Sequence, residues 1–343
     1  MTTHERELFD PVDLCTPDGD RLAAAARGWS RTPLHRANLH GHHGRNKRWD
    51  YWAVLAGDLV VSAVYADIDH LGLIDVWWAD IPSGDDGGAS AVVASDAVSL
   101  PERCGTVPLT LAHPDLDIAM TDDGTGTRLT ATWREPDGRA GALDVAVALP
   151  PGHESLNVVI PWDDEVFTFT SKHQARPATG TLEVGDRRWV VGGSGGDAWG
   201  VLDVGRGRWP STITWNWGSG AGRAGDHVVG LNVGARWTEG TGFTENGFVV
   251  DGVLTKIGRE LRWDYDWDDP MAPWRISDPE GQLDVTLTPR YDKHSRSGRD
   301  DGRGSETHQV FGTFAGSVRT DDGRTVTFDA LQGFAEEVRH RGW

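Results

Sequence analysis

Short β-prone runs separated by polar turns recur along this chain, and several of them carry apolar residues at every second position. Residues 59–65, 71–78, 116–121, 128–133, 142–149 and 156–160 have this form in the first half. Residues 180–191, 209–217, 227–237, 243–250, 261–267, 283–289, 310–318 and 324–330 continue it. A period of two puts alternate side chains on opposite faces of a β-strand. Asp-Gly pairs at Asp123-Gly124, Asp137-Gly138, Asp251-Gly252 and Asp322-Gly323 supply the positive φ values that tight hairpins need. Helical signals are confined to residues 21–27 and 331–339, both too short for a crossover between parallel strands. Residues 293–307 are charged and Gly/Ser-rich, and are expected to form a mobile loop. The expected class is all-β and antiparallel, with few short helices. A sandwich, one large barrel and two barrels all fit this pattern, and a polar-lined interior favours barrels. A break near residues 161–171 gives an N-terminal arm (1–27), a first β-barrel domain (28–165) and a second (166–343) carrying the candidate ligand cavity.

The stretch 197–251 departs from ordinary strands. It holds five Trp and many Gly, with Asp203, Arg206, Asn216, Asn232, Glu245 and Asn246 among them. Buried strand faces are usually filled by Val, Ile and Leu. Within 211–217, Ile213, Trp215 and Trp217 share one face, and Thr212, Thr214 and Asn216 the other. Within 228–237, Val229, Leu231, Val233 and Trp237 lie opposite Gly230, Asn232, Gly234 and Arg236. Glycine at alternate positions clears space. Thr214, Asn216, Gly230, Asn232 and Gly234 are therefore expected to share one cavity-facing surface, with Trp215, Trp217, Arg206 and Asn246 completing a ligand-binding set. Glu245 and Asp203 are the candidate acid or base, since a carboxyl group among tryptophans has its pKa raised. His173, which follows residues 166–170 together with Lys172 and Gln174, is the candidate proton-transfer partner. The plainer alternative is an ordinary outer face, with Glu245 paired to Arg206 or Arg236 and Asp203 to Arg206. In residues 262–268 Trp263, Tyr265 and Trp267 alternate with Asp264, Asp266 and Asp268, which reads as a solvated edge protected by charge.

Composition narrows the classes further. The 343 residues carry a net charge of -19, which argues against nucleic acid and against anionic membrane surfaces as partners. Cys15 and Cys104 lie far apart without a CxxC pair, so a single disulfide stays open but a zinc framework does not. His40, His42 and His43 invite a metal, yet no third ligand stands nearby and no HExxH pattern occurs, so no metal is expected. The Gly-rich run 192–200 lacks the ending of a phosphate loop, and no GxSxG elbow is present. No cofactor is expected. The first residues contain no apolar signal core, and no run approaches the ~18 apolar residues of a membrane span. A cytoplasmic protein with a small-molecule ligand or substrate is the expectation.

The segments GWSRTPL, NKRWDYW, GRGRWPSTITWNW, GLNVGARW and TENGFVVDGVLTKI resemble the signature of a widespread bacterial domain-of-unknown-function family, from residue 28 to about 334. That family is similar, more distantly, to carotenoid hydratases of the hydroxyneurosporene synthase type and to tocopherol cyclase-like proteins. The resemblance implies two lipocalin-like (calycin-like) β-barrels in tandem. It also implies acid-initiated chemistry, in which a carboxylic acid protonates an alkene and aromatic faces stabilise the cation. No position here aligns with a specific catalytic acid of the hydratases.

Two functional classes follow: an acid–base enzyme of hydratase, cyclase or isomerase type, and a non-catalytic lipocalin-like carrier. A buried carboxylate without a cationic partner points to catalysis, and a paired one to carriage. Carbohydrate chemistry is a third reading, and it requires two carboxyl groups facing one cleft.

Overall fold

Asp-Gly turns close four of the hairpins. Strand Leu116–Asp122 turns into Gly126–Arg134, which turns into Ala140–Ala148. Asn246–Val250 returns as Val253–Ile257, and Gly304–Arg319 as Thr325–Arg341. Gly124, Gly138, Gly252 and Gly323 have φ between +82° and +89°, and Asp251 sits at +53°. A Cβ resists that region, which is why Gly stands at these corners.

The computed structural model describes residues 4–298 and 302–342. The hairpins assemble into two antiparallel, barrel-like sheets in tandem, so the expected all-β double barrel holds. Along the first sheet run Asp85–Val93, Gly72–Asp80, Leu59–Asp67, Asn46–Ala56, Trp199–Arg208, Phe167–Val184, Ala140–Ala148, Gly126–Arg134, Leu116–Asp122 and Leu109–His113. Along the second run Val253–Ile257, Asn246–Val250, His227–Ala235, Thr212–Ala224, Thr325–Arg341, Gly304–Arg319, Leu283–Gly298, Trp274–Ser277 and Arg262–Asp264. The first curls over a core that includes Trp52, Trp78, Trp133 and Leu143. The second curls over Val229, Phe248, Trp274, Phe314 and their neighbours. Leu14, Cys15, Leu22 and Ala26 of the N-terminal arm, with Ala37 and Leu39 that follow it, pack on Val159, Phe167 and Phe169.

Several expectations shift. The division after residue 165 falls inside the first sheet, because Phe167–Val184 and Trp199–Arg208 pair with Ala140–Ala148 and Asn46–Ala56. The chain crosses between sheets in the short link from Arg208 to Thr212. Residues 331–339, expected as a helix, lie within the strand Thr325–Arg341. Both faces of that strand are buried there, so polarity does not alternate and the period of two is hidden. Residues 293–307 form the arms of a long hairpin, except for 299–301, which lie outside the described residues. Residues 21–27 hold only the 3-10 turn Ala24–Ala26. The acidic run behaves as expected: Arg262–Asp264 is the edge strand, with Asp264, Asp266 and Asp268 exposed. Cys15 and Cys104 are free thiols. Among the described residues no helix is long and apolar enough to cross a membrane.

Candidate functional site

The two sheets press against each other, and the seam between them carries the unusual chemistry. Ala53, Leu55, Val60 and Val201 of the first sheet meet Trp217, Phe311 and Phe334 of the second. A second apolar patch joins Leu156, Val158, Ile160 and Trp199 to Ile213, Trp237 and Val249. A polar layer runs between the patches. Register builds it: Lys172, Asp203 and Tyr51 lie directly opposite one another on three neighbouring strands, so all three project from one face. The register shifts between His173 and Arg176, where Ala175 has a φ of +55°. This bulge lets both Gln174 and Ala175 approach the second sheet and sends Arg176 to the interior of the first.

Lys172 sits at the centre. Its Nζ is 2.8 Å from Asp203 Oδ1 and 3.1 Å from Glu245 Oε2, and it lies 4.4 Å from the centre of the Trp217 ring. Asp203 also accepts hydrogen bonds from Trp49 Nε1 at 3.0 Å and Thr170 Oγ1 at 3.2 Å. Trp237 Nε1 donates to Glu245 Oε1 at 3.0 Å. Burial disfavours the ammonium, but Asp203 and Glu245 outweigh it and the Lys172 pKa rises. Burial pushes the Glu245 carboxyl up to about 7, against the pull of Lys172 and with the repulsion of Asp203. One cation is shared by two buried carboxyl groups, so it can neutralise only one of them.

A third carboxyl group lies in the same layer. Glu336 stands directly across from Trp217 on the neighbouring strand. It accepts hydrogen bonds from Trp215 Nε1 at 3.0 Å and from Gln309 Nε2 at 2.9 Å. Among the described residues no Lys, Arg or His lies within ion-pair distance of it, and burial raises its pKa to about 7.

The glycines do clear space, and other side chains fill it. A Cβ on Gly234 would lie 2.3 Å from Glu245 Oε1, and one on Gly205 would lie 2.0 Å from the Trp49 ring. A Cβ on Gly230 would meet Gln174 and Ala175 at 2.7 and 2.9 Å. The missing side chains let the second sheet accept Glu245 and the bulge of the first.

Of the predicted catalytic set, Glu245 and Asp203 meet through Lys172, whereas His173 does not join them. It points to the opposite face of its strand, with Nε2 3.0 Å from Ser171 Oγ, beside a cavity of about 190 Å³ in the first sheet. Burial holds its pKa well below the usual value, so it is neutral. Arg206 also faces the first interior and pairs with Asp50 at 2.6 Å rather than with Asp203 or Glu245. Trp217 and Asn232 belong to the seam: Trp217 Nε1 donates to Asn232 Oδ1 at 2.9 Å, and Gln174 Nε2 to the same oxygen at 3.2 Å. Trp215 reaches Glu336, as above. Asn246 is a brace, with Oδ1 accepting from Gly234 N at 2.6 Å and Nδ2 donating to Arg259 O at 3.0 Å. Asn216 does not share the face of Asn232. The register sets it opposite Ala235 and Glu337, on the inner side of the second sheet, with Nδ2 3.0 Å from Tyr265 Oη. Parity within one strand fixes which residues alternate, but register between strands decides which faces join. His40, His42 and His43 diverge toward different acids: Glu102 at 4.0 Å, Asp20 at 2.6 Å and Asp69 at 3.7 Å.

Lys172 and Glu336 escaped the sequence reading as site residues. The adjacent polar triplet Lys172, His173 and Gln174 was a usable signal for the first. The expected helix at 331–339 hid the second.

An aromatic approach leads toward this layer. Trp209 stacks on Trp237 with centroids 5.1 Å apart, and Trp49, Trp162 and Trp215 surround it at 5.3–5.7 Å. A surface groove of about 660 Å³ runs beside them, lined by Trp162, Pro210, Ile213, Thr214, Arg236 and Trp237. Trp237 thus has one side toward the groove and its N–H on Glu245.

The chain belongs to the family described as Domain of unknown function (DUF2804), whose model matches residues 5–343. No curated protein matches it. Among solved structures, kievitone hydratase from Nectria haematococca is similar at 12% identity and a TM-score of 0.49, over 87% of this chain and 90% of that one. CghA with Sch210972 is similar at 13% identity and a TM-score of 0.46, over 87% of this chain and 89% of that one.

Proposed function

We propose that the seam between the two sheets is an acid–base catalytic site for a small, largely apolar, unsaturated molecule. The observation that carries this reading is the single ammonium of Lys172 shared between buried Asp203 and Glu245. With the ammonium of Lys172 drawn closest to Asp203, Glu245, its pKa raised to about 7 by burial, carries a proton in a fraction of molecules near neutral pH and releases it readily. The substrate enters from the tryptophan-lined groove, and the Trp209–Trp237 stack parts to let it reach Glu245. Glu245 donates its proton to an alkene or enol carbon. Positive charge develops next to indole faces, which stabilise it. Glu336, ionised in a fraction of molecules near neutral pH, takes a proton from the cation or from an added water. This covers hydratase, cyclase and isomerase outcomes, which differ only in what captures the cation.

The pairing of Glu245 with Lys172 also supports carriage of a ligand without chemistry. A deuterium experiment separates the two. The protein is incubated in D2O with an extract of apolar metabolites from its host, and deuterium at carbon is followed by mass spectrometry. Protein-dependent deuteration that disappears in Glu245→Gln supports catalysis. A stoichiometrically bound small molecule recovered without deuterium would leave a carrier.

A further inference from the structure

We infer that the hairpin of Leu283–Gly298 and Gly304–Arg319 carries a binding site for a divalent transition-metal ion, of which Zn²⁺ is the best match. The ligands are His294, Glu306 and His308, and Asp292 supports them from behind. Cross-strand register creates the constellation. His294 lies directly opposite His308, Asp292 is two residues before His294, and Glu306 is two residues before His308. All four side chains therefore project from one face of the ribbon. That face is turned away from the seam, because the intervening Gln309 bonds Glu336 and Lys293 lies over Trp77 of the first sheet.

The side-chain geometry suits a metal. One ligand atom from each of His294, Glu306 and His308 lies within 4.8 Å of the others. The two imidazoles are parallel, 4.2 Å apart at 2°. His308 Nδ1 is 2.7 Å from Asp292 Oδ2, and an ionised carboxylate only accepts, so Nδ1 carries the proton. The lone pair is thereby left on Nε2. This carboxylate–histidine pairing is the arrangement that orients a metal-binding imidazole and raises its basicity. Trp267 holds the His308 ring edge-on at 4.6 Å. His294 Nε2 and Glu306 Oε1 are 3.2 Å apart, bridged by a single proton. An ion entering there displaces that proton and takes both atoms as ligands. Zinc bonds of ~2.0–2.2 Å place tetrahedral ligands roughly 3.3 Å apart, so small rotations of the partly exposed His294 and Glu306 close the site. Two neutral imidazoles and one carboxylate leave the complex at a charge of +1, which Asp292 balances. The fourth position stays open to water.

The test is a calorimetric titration of chelator-treated full-length protein with ZnCl2, repeated with CoCl2 and followed by visible absorption. Saturable binding of one ion with proton release and a tetrahedral Co²⁺ spectrum is expected. His308→Ala and Glu306→Gln abolish it, and Asp292→Asn weakens it about 10–100-fold. Circular dichroism checks that the variants fold, and the near-isosteric Glu306→Gln at a partly exposed position serves where His308→Ala does not. Absence of saturable binding, or equal binding by wild type and Glu306→Gln, would overturn the proposal.

Discussion

The seam between the sheets and the interior of the second sheet are both buried, yet they are filled on different principles. Val229, Phe248, Ile276, Leu287 and Phe314 fill most of the interior with apolar groups, and the buried polar residues there, Asn216 and Glu337, are hydrogen-bonded or ion-paired. The seam holds Lys172, Asp203, Glu245 and Glu336 among its tryptophans. Two adjacent residues condense the difference. Glu337 faces the inner side and has Arg339 Nε at 2.6 Å and Arg236 Nη2 at 3.5 Å. Glu336 faces the seam, and among the described residues its side chain has Trp215 and Gln309 as donors and no cation at ion-pair distance. Charge that the fold needs is matched by charge of the other sign. Charge that burial leaves unmatched is costly, and it persists where chemistry uses it. If this contrast is right, substitutions in the two layers must differ in size and in their dependence on pH.

The largest effect is expected from Lys172→Met. It leaves Asp203 and Glu245 buried without a cation, and breaking such a pair from one side costs about 3–5 kcal/mol. Urea denaturation at neutral pH measures this. The loss should shrink as pH falls below about 7, where the Glu245 carboxyl binds a proton. A cost below about 1 kcal/mol would place the triad in water and dissolve the contrast.

Next in size is the pH dependence carried by Glu336. Its pKa rises from 4.5 to about 7 on folding. Between those values the folded protein holds a proton that the unfolded chain has released, so stability falls as pH rises. The contribution is fully present below 4.5 and lost once pH passes about 7. A shift of this size corresponds to about 3 kcal/mol. Glu336→Gln cannot ionise, so its stability relative to wild type should climb through this window and then level off. Parallel curves for the two proteins would show that Glu336 finds a cation or water in solution.

Much of this arrangement was legible in the chain, and the missing part has a physical reason. Composition alone marked Trp215, Trp217, Asp203, Asn232 and Glu245, because Gly, amides and acids are out of place on buried strands. The Asp-Gly corners and the all-β class followed from local chemistry. What stayed hidden depends on partners far apart in sequence. Nothing near Lys172 announces that Asp203 lies opposite it and Glu245 across the seam. Nothing near Asn216 says that Ala235, and not Asn232, is its cross-strand neighbour. Glu336 was masked differently: with both faces of its strand buried, AEEV reads as one turn of helix.

Gly234→Ala probes the seam without touching a charge. The new Cβ would meet Glu245 Oε1 at 2.3 Å and Cγ at 2.8 Å, so the carboxyl group must move. Overpacking of this kind costs typically about 1–3 kcal/mol. Because the movement loosens Glu245 from Lys172 and Trp237, any protein-dependent deuteration should fall with it. Unchanged stability together with unchanged activity would mean that the glycine spacing is incidental.

The smallest effect belongs to the interior, and its shape matters more than its size. Ile276 is fully buried in the second core, and Ile276→Val removes one methylene without altering any charge or hydrogen bond. Such a truncation costs about 0.5–1.5 kcal/mol. No titrating group gains or loses a partner, so denaturation at pH 5 and at pH 8 should give the same difference from wild type. The Glu336→Gln difference should change across that range. If Ile276→Val also became pH-dependent, loosening the interior would be altering the environment of Glu336 through the Thr325–Arg341 strand that both layers share. The apolar interior would then be setting the proton affinity of the seam, and the two layers would be one cooperative unit.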